Sequence, residues 1–383
     1  MNGRRAPSAR MKLGALAALA GALAGPLLVA AAEPIRIGEY ASLTGKEAAY
    51  GDTSHKGTLL AVEEINARGG VLGRPLELLT ADDQSKPGEA ATAVKKLIAR
   101  DKVVAVLGEV ASIRSLEAAP VAQGARIPMI TPSSVNSRVT EAGDYVFRVC
   151  FVDSFQGNVL ARFVREKLGL HRVAILTSAN NAYSVGMARI FKARFTADGG
   201  TIVAEQRYSE GDRDFRAQLT AIRAAGADAI FASGYYTEAA LICVQARQLG
   251  LNLPVFGGDG WDAPPLLEIG GPAMEGTYFS THYSPDNPSA EVQAFNARYR
   301  RRWGATPDAW AALGYDSALV LADAMARAGA AEPARIRDAL AATRDFPAVT
   351  GRITIDDNRN ASKSAVILTI KDGRYKFVTA IAP

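Results

Sequence analysis

The run Val173-Ala174-Ile175-Leu176 passes directly into Thr177-Ser178-Ala179-Asn180-Asn181-Ala182-Tyr183. A short apolar stretch that stops in a polar loop reads as a buried strand with an open carboxyl end. The same unit recurs down the chain. Strand-like runs start at Val173, Thr201, Ala229, Val255 and Thr277, so successive starts lie 28, 28, 26 and 22 residues apart. That is the period of one strand plus one helix, and it predicts an α/β fold with mainly parallel sheets.

A first series precedes it: Ile35–Ile37, Leu76–Leu79, Val103–Leu107, Met129–Ile130 and Tyr145–Val149. Helix-length amphipathic stretches separate most of these runs. In Thr58–Ala67, Leu59, Val62 and Ile65 fall at helical spacing and Gly69-Gly70 supplies a stop. Val149–Phe155, between the two series, has no glycine cluster and reads as a strand or short crossing segment. Two series joined by a firm segment predict two doubly wound lobes on a hinge. Beyond them, Ser289–Trp303, Pro307–Ala328 and Ala331–Thr343 read as successive helices. Arg352–Ile355, Ala365–Ile370 and Tyr375–Val378 read as closing strands, with Asp372-Gly373 as a hairpin turn. The chain is therefore expected to cross between lobes more than once.

Composition bounds the function. The 383 residues are 48% hydrophobic, 7% aromatic and 22% charged, an ordinary globular balance. At ~100–200 residues per domain the length suggests two domains. The formal net charge of +5 is misleading. Arg4, Arg5, Arg10 and Lys12 precede an apolar run from Leu13 to about Ala24, and Ala30-Ala31-Ala32 follows. Basic start, apolar middle and small-residue exit make an export signal over 1–32, cut near Ala32. A permanent membrane anchor fits less well, because Gly21, Gly25 and Pro26 interrupt the run. Without those four of its 44 basic residues, the chain carries 40 against 39 acidic ones. No argument for nucleic acid survives, and the mature protein is expected in the periplasm.

Two cysteines, Cys150 and Cys243, exclude a disulfide-dense scaffold and a four-cysteine zinc site. The three histidines are far apart in sequence, and no HExxH, GxxxxGK[ST] or GxSxG string occurs. No dinucleotide-type Gly-x-Gly-x-x-Gly follows the first strand. The expectation is a protein that is not an enzyme, with no cofactor and no metal.

Open α/β sheets hold ligands at the carboxyl ends of their strands. In the first series those ends carry Thr44-Gly45 to Tyr50, Gly108-Glu109-Val110-Ala111-Ser112, and Thr131-Pro132-Ser133-Ser134-Val135-Asn136. Hydroxyls and amides beside helix starts suit an anion. In the second series the ends carry Tyr183, Tyr235-Tyr236, and Gly257-Gly258-Asp259-Gly260-Trp261-Asp262. Aromatic rings and a carboxylate in a glycine-rich loop suit an ammonium group on an apolar body. Each element also has a plain reading: the serines as helix N-caps, the tyrosines as packing between lobes, and the glycine-rich loop as an ordinary turn. The case for a small zwitterion rests on all six strand ends together.

Several strings together resemble one family. They are Ala49-Tyr50-Gly51-Asp52, Ile65-Asn66-Ala67-Arg68-Gly69-Gly70-Val71-Leu72-Gly73 followed by Asp82-Asp83, Met129-Ile130-Thr131-Pro132, and Phe151 to Gly157. The chain resembles, over about 34–380, the type I periplasmic substrate-binding proteins of ABC transporters, specifically the leucine/isoleucine/valine-binding family. The resemblance implies a two-lobed fold with a three-segment hinge, divided as 33–150 plus 283–352 and 151–282 plus 353–383. It implies a monomer that shuts around a small ligand, most often an amino acid, and delivers it to a membrane permease. The ligand carboxylate is expected on Ser112, Ser133, Ser134 and Val135, with Tyr50, Tyr183 and Tyr235 closing over it. Asp259 stands where the family has a glutamate for the ammonium, with Trp261 beside it.

The departures matter. Val135 replaces a threonine, Ile113-Arg114 replaces a serine run, and Asp259 is one methylene short of glutamate. The family's disulfide is not reproducible, since Ser85 and Ala111 stand in its place. Arg114 is read either as a replacement anion partner or as a solvated residue. An amide, urea or aromatic carboxylate ligand, or a sensing role, is the alternative reading.

Overall fold

Strand and helix alternate from Ile35 onward in a computed structural model that describes residues 1–6 and 32–383. The apolar core of the export signal lies outside the described residues. The first elements are β1 (Ile35–Ala41), α1 (Ala48–Ala67), β2 (Leu76–Asp82), α2 (Glu89–Ala99), β3 (Val106–Leu107), α3 (Ser112–Ala125), β4 (Met129–Thr131) and β5 (Val146–Arg148). Their strands make an all-parallel sheet in the order β2-β1-β3-β4-β5. Side chains alternate across it, as strand geometry requires. Val106, Met129 and Val146 enter a core under α2 and α3, while their neighbours Leu107, Ile130 and Phe147 enter the large core on the other face. This two-sided burial explains why these strands read as continuous apolar runs.

Next come α4 (Asp153–Arg162), β6 (Arg172–Ser178), α5 (Ala182–Ala197), β7 (Thr201–Tyr208), α6 (Arg216–Ala224), β8 (Ala229–Ser233), α7 (Tyr236–Gln248), β9 (Val255–Gly257), α8 (Pro264–Gly270) and β10 (Tyr278–Thr281). The crossing segment is shorter than the sequence suggests. α4 already starts at Asp153, whose carboxylate accepts the Ser137 N–H at 3.4 Å.

The chain then forms α9 (Ala290–Trp303), α10 (Ala309–Ala328), α11 (Pro333–Ala341), β11 (Phe346–Ala348), β12 (Gly351–Ile355), β13 (Ala361–Ser362), β14 (Ala365–Lys371) and β15 (Arg374–Ile381). The second sheet runs β15-β14-β10-β9-β8-β6-β7, parallel except for β14 and β15. The turn of that last hairpin is Asp372-Gly373, both residues at positive φ (54° and 66°), the combination a tight two-residue turn needs. β11, β12 and β13 form a separate small sheet.

α10 packs along α1 and so returns to the five-stranded sheet. The two helices touch through glycines. A Cβ on Gly57 would lie 1.9 Å from the Ala311 carbonyl oxygen, and one on Gly314 would lie 2.2 Å from that of Ser54. α1 consequently begins at Ala48, ten residues before the apolar periodicity does. Its front half is held by backbone approach, which leaves no hydrophobic stripe to read. The path thus passes between the two sheets three times: after β5, after β10 and before β14. Strand order reverses at β1/β3 in one sheet and at β6/β8 in the other, and doubly wound sheets open a crevice at such points. No described helix is long and apolar enough to cross a membrane.

Candidate functional site

Loops from both reversal points meet around one small cavity. Its walls are Tyr50, Val110, Ala111, Ser112, Ser133 and Trp310 from the first lobe, and Tyr183, Tyr235, Asp259 and Gly260 from the second. It measures about 10 Å³, room for roughly one water, so a larger guest requires the lobes to part. Six of the sequence-derived candidates share it: Tyr50, Ser112, Ser133, Tyr183, Tyr235 and Asp259.

The first-lobe wall is built for donation. Ser112 opens α3 after the extended Ala111, so the first amide groups of a 14-residue helix face this end. The Ser112 hydroxyl oxygen accepts the Asn136 N–H at 3.3 Å, and its own proton stays available. The Ser133 hydroxyl reaches the Val110 carbonyl only at 3.4 Å.

Behind this wall lies a buried charge network. Arg114 donates to Glu47 at 3.2 Å, to Glu117 at 3.1 Å and to the Ser85 carbonyl at 3.0 Å. Asp83 accepts the Ser42 hydroxyl at 2.7 Å. Glu109 accepts backbone N–H groups of Ser42 and Ala111. Burial, then the charges of Asp83 and Glu47, push the Glu109 carboxyl well above its ordinary range, against the pull of the Ala111 N–H that it accepts. Arg114 is engaged inside the lobe and is not an anion partner in the cavity.

Three other candidates stand back from the cavity. The Ser134 hydroxyl is stitched to the Glu109 carbonyl at 2.9 Å and to Ser115 at 2.7 Å, fixing the loop. Val135 is buried, and its carbonyl accepts the Asp153 N–H at 2.8 Å. Trp261 is fully buried beneath the glycine-rich loop, where its indole donates to the Ala232 carbonyl at 3.2 Å.

The second-lobe wall is aromatic and acidic. Tyr183 and Tyr235 stack at 5.5 Å, Tyr50 meets Tyr235 edge-on at 5.4 Å, and Trp310 meets Tyr50 edge-on at 5.3 Å. Burial raises all three tyrosines well above their ordinary pKa, so they stay neutral. Asp259 accepts from Gln156 at 2.8 Å and from His282 at 3.0 Å. Among the described residues it has no Lys or Arg bridge. The lobes touch directly. The Tyr50 hydroxyl donates to the Gly260 carbonyl, Tyr236 to the Lys46 carbonyl at 3.0 Å, and Asn136 to the Ala182 carbonyl at 2.9 Å. Lys46 also pairs with Glu210 at the rim.

Trp310, Gln156 and His282 were missed by sequence reasoning. His282 directly follows the carboxyl end of β10, and extending the strand-end rule by one strand would have found it. Gln156 and Trp310 sit on helices and carry no such signal. Both cysteines are free and buried, and burial pushes each thiol up to about 12. No group of three or more potential metal ligands occurs among the described residues.

Known proteins share this architecture. The family described as Periplasmic binding protein matches residues 34–374. The Leu/Ile/Val-binding protein BraC3 of Rhizobium johnstonii is 33% identical over 87% of this chain and 90% of its own length. The leucine binding protein LivK of Thermotoga maritima superposes with a TM-score of 0.88 and 41% identity, covering 91% of this chain and all but 1% of its own. The branched-chain amino acid transporter substrate binding protein LivJ of Streptococcus pneumoniae, solved with isoleucine, gives 0.87 and 36%, covering 91% and 100%. With its two doubly wound sheets, three crossings and shared cavity, the chain belongs to the periplasmic binding protein family, within its leucine/isoleucine/valine-binding group.

Proposed function

We propose that this protein is an extracytoplasmic receptor that captures an aliphatic amino acid between its lobes and hands it to an ABC-type permease. The observation that carries the reading is the polarity of the cavity: helix-start amides and hydroxyls on one wall, an ionisable Asp259 among rings on the other. An α-amino acid presents the complementary pair of charges. Ser112 and Ser133 receive the carboxylate together with the amides of the α3 start. Asp259 receives the ammonium, and Tyr50, Tyr183, Tyr235 and Trp310 surround the side chain. Binding is non-enzymatic: the ligand makes contacts in the closed form that it lacks in the open one, and so shifts the balance between them. The export signal over 1–32 delivers the chain to the periplasm. The lobes are 33–150 with 283–352, and 151–282 with 353–383.

A thermal-shift panel of leucine, isoleucine, valine, aliphatic amides, urea and benzoates tests this. At a hundredfold excess over Kd a true ligand adds ~2.7 kcal/mol, or about 3–4 °C in Tm for a chain of this size. Shifts with the aliphatic amino acids are expected. Shifts confined to benzoates or amides would replace the ligand and retain the receptor.

A further inference from the structure

His282 sits on the second crossing, and its ring joins three parts of the molecule. Nε2 lies 3.0 Å from Asp259 Oδ2. A carboxylate oxygen only accepts, so Nε2 carries the hydrogen. Nδ1 has no partner although the residue is fully buried. One ring face stacks on Phe151 of the first crossing, 3.8 Å between centroids and 22° between planes. Its edge meets Trp310, a wall of the cavity, at 6.2 Å. Gln156 holds the other Asp259 oxygen and also donates to the Ser280 hydroxyl at 2.9 Å. Two neutral donors thus fix the carboxylate, and one of them is clamped at the hinge.

We propose that His282 is the positioning residue for Asp259, and that a proton on His282 competes with the ligand's ammonium for that carboxylate. The inference rests on the ammonium reading of Asp259 above. A neutral imidazole aims the carboxylate and leaves its charge for the guest. Protonation at Nδ1 makes the ring a cation, which neutralises Asp259 from the hinge side. The groups facing the ring agree with a neutral resting form. Burial lowers the His282 pKa, Asp259 opposes that, and Lys363 from the third crossing adds to it. Cys150, on the first crossing, is an uncharged thiol, and the Phe151 and Trp310 rings carry no charge. A cationic guest at Asp259 lowers the histidine further, so binding expels a proton. Affinity then rises with pH and levels off above the His282 pKa of the free protein.

The experiment is calorimetric titration of leucine into wild type, His282→Gln and His282→Leu from pH 5 to 8. Glutamine keeps an N–H donor and cannot titrate; leucine keeps neither property. Wild-type affinity is expected to fall on acidification, by at most about tenfold per pH unit for one proton. H282Q should bind within a few-fold of wild type at pH 8 and lose that acid-dependent fall. H282L should bind more weakly than wild type at pH 8, where the wild-type imidazole is neutral, and should also lack the acid-dependent fall. An H282Q profile parallel to wild type, or an H282L affinity equal to wild type at pH 8, overturns the proposal while leaving the ammonium reading intact. Failure of wild type to bind any amino acid overturns both.

Discussion

The two walls of the cleft treat buried charge in opposite ways. In the first lobe, Glu47 and its acidic neighbours share the buried guanidinium of Arg114, and Glu109 is pushed toward its neutral form. In the second, Asp259 and Asp262 meet only uncharged partners: Gln156 and neutral His282 for one, Thr281 at 2.6 Å for the other. The first wall carries its own buried cation. The second has none among its described partners, and on the proposed function the ligand's ammonium group supplies it. The contrast also separates roles. Charge in the first lobe is engaged behind the α3 start, while on the proposed function charge in the second is left for the guest.

Substitutions that remove the balancing group should therefore hurt the first lobe most. Arg114→Met leaves buried Glu47 with only the half-exposed Lys46, 3.8 Å away, and breaking such a buried pair costs about 3–5 kcal/mol. Urea unfolding should show that loss. Stability equal to wild type would erase the contrast, because the first lobe would then need no internal cation.

Asp262 gives the second-lobe counterpart, with the opposite sign. Burial raises its pKa to about 8, against ~3.9 for an unfolded aspartate. The folded state holds this proton to higher pH than the unfolded state does. Its contribution is therefore complete at low pH and declines as pH rises between about 4 and 8, by up to ~1.4 kcal/mol per unit. Asp262→Asn should remove that decline, which unfolding at pH 5 and pH 8 will read. An unchanged pH slope in the variant would show that the acid is compensated after all.

Smaller effects sharpen the comparison at the seam. Tyr50→Phe deletes the hydroxyl that reaches the Gly260 carbonyl across the cleft. A hydrogen bond of this kind contributes about 1 kcal/mol, so ligand affinity should fall roughly fivefold with little change in the stability of either lobe. Glu210→Gln removes the rim pair with Lys46, whose side chain is 48% exposed. The expected loss is ~0.2–1 kcal/mol and should fade as salt is added. A salt-independent loss would mean that the rim pair is shielded from solvent.

Much of this was legible in the sequence, and the reasons are physical. Strands such as Val173–Leu176 are buried on both faces and announce themselves as apolar runs. The Ser112, Ser133, Tyr183 and Asp259 loops were found because a doubly wound sheet places its strand ends in one crevice. What escaped depends on tertiary contact. The front of α1 packs through glycine against α10. Trp310 reaches the cavity from a helix far along the chain. The serine and valine after Ser133 follow the pattern of the loop, but hydrogen bonds to Glu109 and Asp153 turn them to structural work. Trp261 looks like a wall from its position beside Asp259. Its size instead drives it under the loop into the core.

Calorimetric titration of leucine into wild type and Asp259→Asn, with urea unfolding of both, tests the missing cation most directly. The expected result is binding by wild type and a loss of about 2–5 kcal/mol in the variant, at least roughly thirtyfold in Kd, while the free variant is as stable as wild type or more so. Equal leucine affinity in the two proteins, or a variant that unfolds more easily, would contradict it.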